Sequence, residues 1–256
     1  DGTVWNSTEC ISLKEYCTAK MSGYDSSTYT VSDDGVITYA GEMVIAEDLD
    51  ISGCDLVVND TTLEELTPVL TINENVELRV KNLTVTGSSG DGDAIYNYGT
   101  VIAFGNVSGS IESAGTQSSS GGIFNANTGS MFVSGDISGS GNTNGINNNG
   151  TMKAVSIDGY SSTSGIGLRN SGEIAATTVS GTNTKQGEID VTYVGLNNLS
   201  TGTITATNVY YCKKISNSGK ITGTISCNCE DTTQCGTAPT ACLAPTPILS
   251  GDLTTC

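Results

Sequence analysis

The 256-residue chain contains no histidine, two arginines, one tryptophan and four prolines. Without histidine it has no Ser-His-Asp or Cys-His nucleophile system and no imidazole-ligated metal site. Lys and Arg number 10 against 27 Asp and Glu, a formal charge of 10 − 27 = −17. Such a chain lacks the cations that drive binding to nucleic-acid phosphates or to anionic membrane surfaces. No apolar run approaches the ~18–20 residues needed to span a bilayer; the longest are about four residues, such as Met43 to Ala46. No signal peptide is visible, and a start at Asp1 without Met fits a processed mature form.

Small residues take the place of what is missing. Ser and Thr total 66 and Gly 32, while charged residues make up only 14% of the chain. Low apolar content with low charge density is not the signature of disorder. Regularly spaced Val and Ile among small polar residues point instead to thin, repetitive β structure.

Nine cysteines are unevenly placed: Cys10, Cys17 and Cys54, then none until Cys212, Cys227, Cys229, Cys235, Cys242 and Cys256. No Cys-x2-Cys pair exists, so disulfides at the two ends of a secreted chain fit better than zinc. Cys10–Cys17 and pairings among Cys212 to Cys256 are the favoured bridges. An odd count leaves one thiol free or bonded elsewhere.

The dominant signal is a repeat. Six segments align: AIYNYGTVIAFGNVSG (94–109), GIFNANTGSMFVSGDISG (122–139), GINNNGTMKAVSIDG (145–159), GLRNSGEIAATTVSG (167–181), GLNNLSTGTITATNVYY (195–211) and KISNSGKITGTISC (214–227). Each carries an Asn in register: Asn97, Asn125, Asn148, Asn170, Asn198 and Asn217. An apolar residue precedes that Asn by two, and two more follow, the last at Val107, Ile137, Ile157, Val179, Val209 and Ile225. Two earlier repeats align more loosely, ending on Ile51 and Val85. Three apolar positions per repeat, each in a short alternating run, mean three short strands. The expected fold is all-β: a parallel β-helix, or β-solenoid, of about eight coils over 36–227. Length variation falls in loops such as Ser110 to Ser120 and Thr182 to Glu188. The Asn positions are read as a structural ladder, amide stacked on amide at the ~4.8 Å strand spacing.

The segments AIYNYGTV and GGIFNANTGSMFVSGDISGS resemble the repeats of bacterial extracellular right-handed parallel β-helix proteins. These form the pectin-lyase-like superfamily, which includes polymorphic outer-membrane and autotransporter passenger proteins. The resemblance covers roughly residues 78–227 and implies a right-handed helix. It is silent on function, because the same repeat serves adhesins, surface layers and polysaccharide enzymes. The family's glycosidase branch resembles a cluster of Asp with a His, and its lyase branch uses Ca²⁺-binding carboxylates with a catalytic Arg or Lys. Neither set is recognisable here.

Residues 1–35 read as an N-terminal cap. Ser12-Leu13-Lys14-Glu15 has the form of a capping box and opens a short helix to about Lys20. Residues 228–256 hold four of the cysteines and three of the prolines and read as a disulfide-stapled tail.

Candidate chemistry is sparse. Asp91 and Asp93 are a weak Ca²⁺ ligand pair, as are Asp33 and Asp34; a solvated Gly-rich turn is the favoured reading of both. Glu64-Glu65 and Asp48/Asp50 could supply an acid and a base, but glycosidases need two carboxylates facing each other across a cleft. Asp136 and Asp158 differ by two places in register and so sit apart. Thr201, Thr203, Thr205 and Thr207 form a run like an ice-binding array, but neighbouring coils do not repeat it. Six Asn-x-Ser/Thr sequons, at Asn6, Asn59, Asn82, Asn106, Asn149 and Asn198, are no more than composition produces. The expected function is therefore a non-catalytic extracellular structural protein that assembles with itself at a cell surface, with no catalytic residues and no cofactor beyond a structural Ca²⁺. It could also meet surface glycans; nucleic-acid partners and a transmembrane segment are not expected. The alternatives are a polysaccharide lyase or glycoside hydrolase and a carbohydrate- or ice-binding module.

Overall fold

A computed structural model describes residues 3–6, 9–60, 67–88, 92–112, 121–162, 165–184 and 193–229, with backbone alone through Cys10. Strand makes up 63% of it and there is one helix. The chain climbs through stacked strands that pair in parallel with the strands of the preceding and following repeats.

The stack has three walls. The first is an eight-stranded parallel sheet running Met43–Ile45, Leu70–Ile72, Ile95–Asn97, Gly121–Asn125, Asn144–Asn148, Ile166–Asn170, Val194–Asn198 and Ile215–Asn217. The second and third walls share a thirteen-stranded sheet. Some strands, such as Glu77–Gly87 and Glu173–Asn183, run through both walls. Elsewhere the chain breaks at the corner, as between Ser130–Val133 and Asp136–Gly141.

Period-2 alternation turns one residue in two into the core, and parallel register places like above like. The first wall stacks Met43, Leu70, Ile95, Ile123, Ile146, Leu168, Leu196 and Ile215. The second stacks Leu49, Leu78, Val101, Met131, Met152, Ile174, Ile204 and Ile221. The third stacks Ile37, Leu56, Leu83, Val107, Ile137, Ile157, Val179, Val209 and Ile225. All are buried except Ile225, which is partly so.

The third column corrects the reading of the two early repeats. Val107 stands opposite Leu83, not Val85, and Leu83 opposite Leu56. Ile51 belongs to the second wall, opposite Val80. The error arose because Val85 and Ile51 precede a Ser/Thr-Gly step that mimics the later repeats. Strands also reach further into the expected loops: Val107–Ile111 and Glu173–Asn183 take in Ser110 and Thr182. Positions 113–120 and 185–188 of those two loops lie outside the described residues.

Where the third wall turns into the first, glycines meet. Gly159 lies so close to the Gly167 carbonyl, and Gly181 to that of Gly195, that neither has room for a Cβ. The two walls touch backbone to backbone there, and the core tapers to nothing at that corner.

At the N-terminal end Thr3–Asn6 and Glu9–Ser12 form an antiparallel pair. The helix Leu13–Lys20 follows, opened by a complete capping box: the Glu15 amide donates to the Ser12 hydroxyl, and the Ser12 amide donates to the Glu15 carboxylate. Tyr29–Val31 pairs antiparallel with Val36–Ala40, closing the third wall. Cys17 is the helix's buried residue and is bonded to Cys54 at the base of the stack, so the expected Cys10–Cys17 bridge is corrected. A helix facing the core brings Cys17 to the first coil, whereas Cys10 belongs to the strand before the cap. Cys212–Cys229 joins the last coils, and Cys227 is also disulfide-bonded. Cys235, Cys242 and Cys256 lie outside the described residues, as does the tail from 230.

Gly159→Val is expected to lose the folded state or depress its melting temperature by well over 10 °C, because the new side chain collides with the backbone of the opposite wall. Ser138→Val, on the outer face one coil away, should leave it nearly unchanged; circular dichroism melts make the comparison.

Candidate functional site

The most ordered polar feature is internal. At the second inward position of the first wall the column reads Ile45, Ile72, then Asn97, Asn125, Asn148, Asn170, Asn198 and Asn217. All six asparagines are buried. Each Nδ2 donates to the Oδ1 of the next: 97 to 125, 125 to 148, 148 to 170 and 170 to 198 at 2.8 Å, and 198 to 217 at 2.7 Å. The second Nδ2 proton reaches turn carbonyls, as from Asn148 to Gly150 at 3.2 Å and Glu173 at 3.1 Å. The ladder therefore holds the first-to-second corner of each coil and ties it to the next. A buried amide without such partners costs about 1–3 kcal/mol. At the start of the ladder Asn97 Oδ1 is buried without a hydrogen-bond partner among the described residues, because the column below it is Ile72.

A second, shorter polar column lies at the second-to-third corner. Asn82 Nδ2 donates to Asp55 Oδ1 at 2.7 Å. The Asn106 amide donates to Asn82 Oδ1 at 2.7 Å, and the Asp136 amide to Asn106 Oδ1 at 2.9 Å. Sequence reasoning missed this column. Its signal was an Asp or Asn immediately before the third-wall apolar residue in four successive repeats. Both columns include sequon asparagines, Asn82, Asn106 and Asn198, whose side chains are engaged in structure.

The carboxylate candidates scatter. Asp48 Oδ1 accepts the Glu77 amide at 2.8 Å, and Asp50 stands opposite Arg79 on the outer face. Arg79 itself pairs with Glu77. Asp136 faces Ser156, while Asp158 faces Ser138 and Ser180. Burial pushes the Asp158 carboxyl up, against a hydrogen bond from Ser180. Asp33 pairs with Lys14 at 3.0 Å. Glu64, Glu65 and Asp91 lie outside the described residues. Among the described residues no three His, Cys, Asp or Glu groups gather as metal ligands. No helix there is long and apolar enough to cross a membrane.

Among the described carboxyls Asp93 is the one pushed furthest from its ordinary value. Burial pushes it up to about 6, although the Gly121 amide hydrogen-bonds to it. Nearby on the outer face Tyr96 and Phe124 occupy the same register position, with ring centroids 4.3 Å apart, and Tyr98 stacks on Tyr96 at 4.9 Å. Burial, then Tyr98 and the Asp93 charge, raise Tyr96 to about 12. This ring stack was readable as the residue between Ile and Asn in IYN and IFN. The Thr run does not extend: Thr205 faces Thr222 on one side but Ala175 on the other.

No family model, curated protein or solved structure matches the chain.

Two outcomes test the polar interior. Asn148→Ala strands the Asn125 Nδ2 and the Asn170 Oδ1 and should cost about 2–4 kcal/mol in urea unfolding, whereas the neighbouring outward Asn147→Ala should cost under about 0.5 kcal/mol. Folded Asp93 binds its proton up to about pH 6, while in the unfolded chain it is lost near pH 3.9. Between those values the folded state holds more protons, so stability falls as pH rises, by at most about 3 kcal/mol. Asp93→Asn should remove that fall and raise the unfolding midpoint at pH 8.

Proposed function

We propose that this chain is a non-catalytic extracellular structural protein whose copies assemble into a surface filament, appendage or layer. The fold it would carry is a right-handed parallel β-helix of about eight coils, akin to the pectin-lyase-like repeats. Eight strands in the first wall support that count. The strong right-handed preference of parallel crossover connections supports the hand. Two described disulfides support an oxidising compartment, which an extracellular protein occupies.

One observation carries the assembly reading: the first wall begins on a strand with an open side. Met43–Ile45 pairs with Leu70–Ile72, and among the described residues no strand lies beyond it. The Met43 amide donates to the Val69 carbonyl and the Ile45 carbonyl accepts the Asn73 amide, so in a parallel ladder the N–H and C=O of Val44 point outward. The Val44 side chain is 53% exposed. Natural proteins cover such edges or use them to join chains.

A second reading, binding of surface glycans, is favoured by the Tyr98, Tyr96 and Phe124 stack on the outer wall. It predicts that Phe124→Ser abolishes retention on immobilised polysaccharide.

Assembly is tested by light scattering and negative-stain microscopy of the purified chain across a concentration series. Concentration-dependent elongated particles are expected, and Val44→Pro, which removes the edge donor, should reduce them to single molecules. A protein that stays monomeric and cleaves one of a panel of acidic and neutral polysaccharides overturns the reading in favour of an enzyme.

A further inference from the structure

We infer that assembly is head to tail, with the open edge at Met43–Ile45 receiving the last coil of a second copy through opposite charge. The inference rests on the self-assembly proposed above and adds its polarity, its contact surface and its electrostatic sign.

The net charge of −17 hides a strong gradient along the stack. From Lys20 to Arg79 the sequence has thirteen Asp and Glu between them and no Lys or Arg. At the other end, residues 193–229 hold Lys213, Lys214 and Lys220 and no acid at all. Glu230, Asp231 and Asp252 follow in the tail. Both ends are organised on the same walls. At the first coil Glu42, Glu47, Asp48 and Asp50 are all exposed around the open edge. Glu47 and Asp48 also line a groove of about 380 Å³ between that edge and the cap, with Lys20, Tyr24 and Val44. At the last coil Lys220 is exposed and Lys214 half-buried.

Register sharpens the match. Glu42 directly precedes Met43, the first member of the first-wall column, and Lys214 directly precedes Ile215, the last. Asp48 precedes Leu49, the first member of the second-wall column, and Lys220 precedes Ile221, the last. A copy approaching with its first and second walls aligned to this one thus brings lysines toward acids at both positions. The third wall cannot take part in the same way, because Tyr29–Val31 and Val36–Ala40 already close it. The contact is therefore confined to the side of the open edge. Like ends repel: two acidic first coils or two lysine-bearing last coils meet with equal sign. A contact between unlike ends does not close on itself and generates a linear polymer.

The experiment uses full-length chains and measures polymer size by light scattering and analytical ultracentrifugation, with circular dichroism to verify folding. Raising NaCl from about 0.1 to 1 M shortens the Debye length from ~10 to ~3 Å and should weaken association at least tenfold; unchanged or tighter association at 1 M overturns the inference. Glu42→Lys/Asp48→Lys gives a chain with two basic ends, and Lys214→Glu/Lys220→Glu one with two acidic ends. Each alone should be monomeric, and a one-to-one mixture should recover polymers of alternating composition. Glu47→Lys serves as the head variant if the double substitution unfolds, since Glu42 and Asp48 accept hydrogen bonds from Thr67 and from the Glu77 amide. If the wild type polymerises and the variants do so equally well, or their mixture fails to recover, polar docking is wrong while self-assembly stands. A monomeric wild type removes both.

Discussion

The structure depends on one repeated bond, the amide-to-amide hydrogen bond between buried asparagines of successive coils. Backbone ladders alone would let neighbouring strands slide by two residues and still alternate correctly. A buried amide allows no such slip, because a shifted Asn would face Ile or Leu and lose its partners. Five such bonds between Asn97 and Asn217 fix the register of six repeats. They all point the same way, each Nδ2 toward the later coil, so the bonds in the chain polarise one another.

That register then decides what may stand elsewhere. At the third-to-first corner it stacks glycine on glycine, Gly109, Gly139, Gly159 and Gly181 in one column. The glycine pairs at the third-to-first corner follow from this: Gly139 with Gly145, Gly159 with Gly167 and Gly181 with Gly195 form a seam of backbone contacts. The core narrows to that seam and is filled mainly by one aliphatic residue per strand. A chain with 36% hydrophobic residues can be well packed only because each of them is used in a column.

The ends break the repetition and carry the specialised parts. The N-terminal helix is fixed by its capping box and by Cys17–Cys54, closing a loop of sequence separation 37, worth roughly 3–4 kcal/mol of chain entropy. It covers the base of the core and, among the described residues, leaves the first wall's edge open. The disulfide Cys212–Cys229 does comparable work on the last coils. Between these ends the outer faces are mostly small and polar, interrupted by the ring stack at Tyr96 and Phe124 and by exposed Phe104, Phe132, Val155 and Tyr160. Charge falls along the same axis, so the ends differ chemically as well as in shape.

The amino-acid sequence determined the repeat, the inward columns from Ile95 onward, the asparagine ladder and the helix with its cap. Each of these is a local pattern whose period is set by the backbone, and the physics of a pleated strand reads it off directly. The sequence alone misplaced Ile51 and Val85, because a Ser/Thr-Gly step looks the same at either corner and only strand pairing distinguishes them. It offered Cys10 as the partner of Cys17 because near neighbours in sequence are the default, whereas the helix turns Cys17 toward a coil 37 residues away. Asp93 looked like a solvated loop residue until the next coil's Gly121 was laid over it. Which edge stays open, and which charges gather around it, was decided by the tertiary structure alone, since both depend on where the cap settles on the first coil.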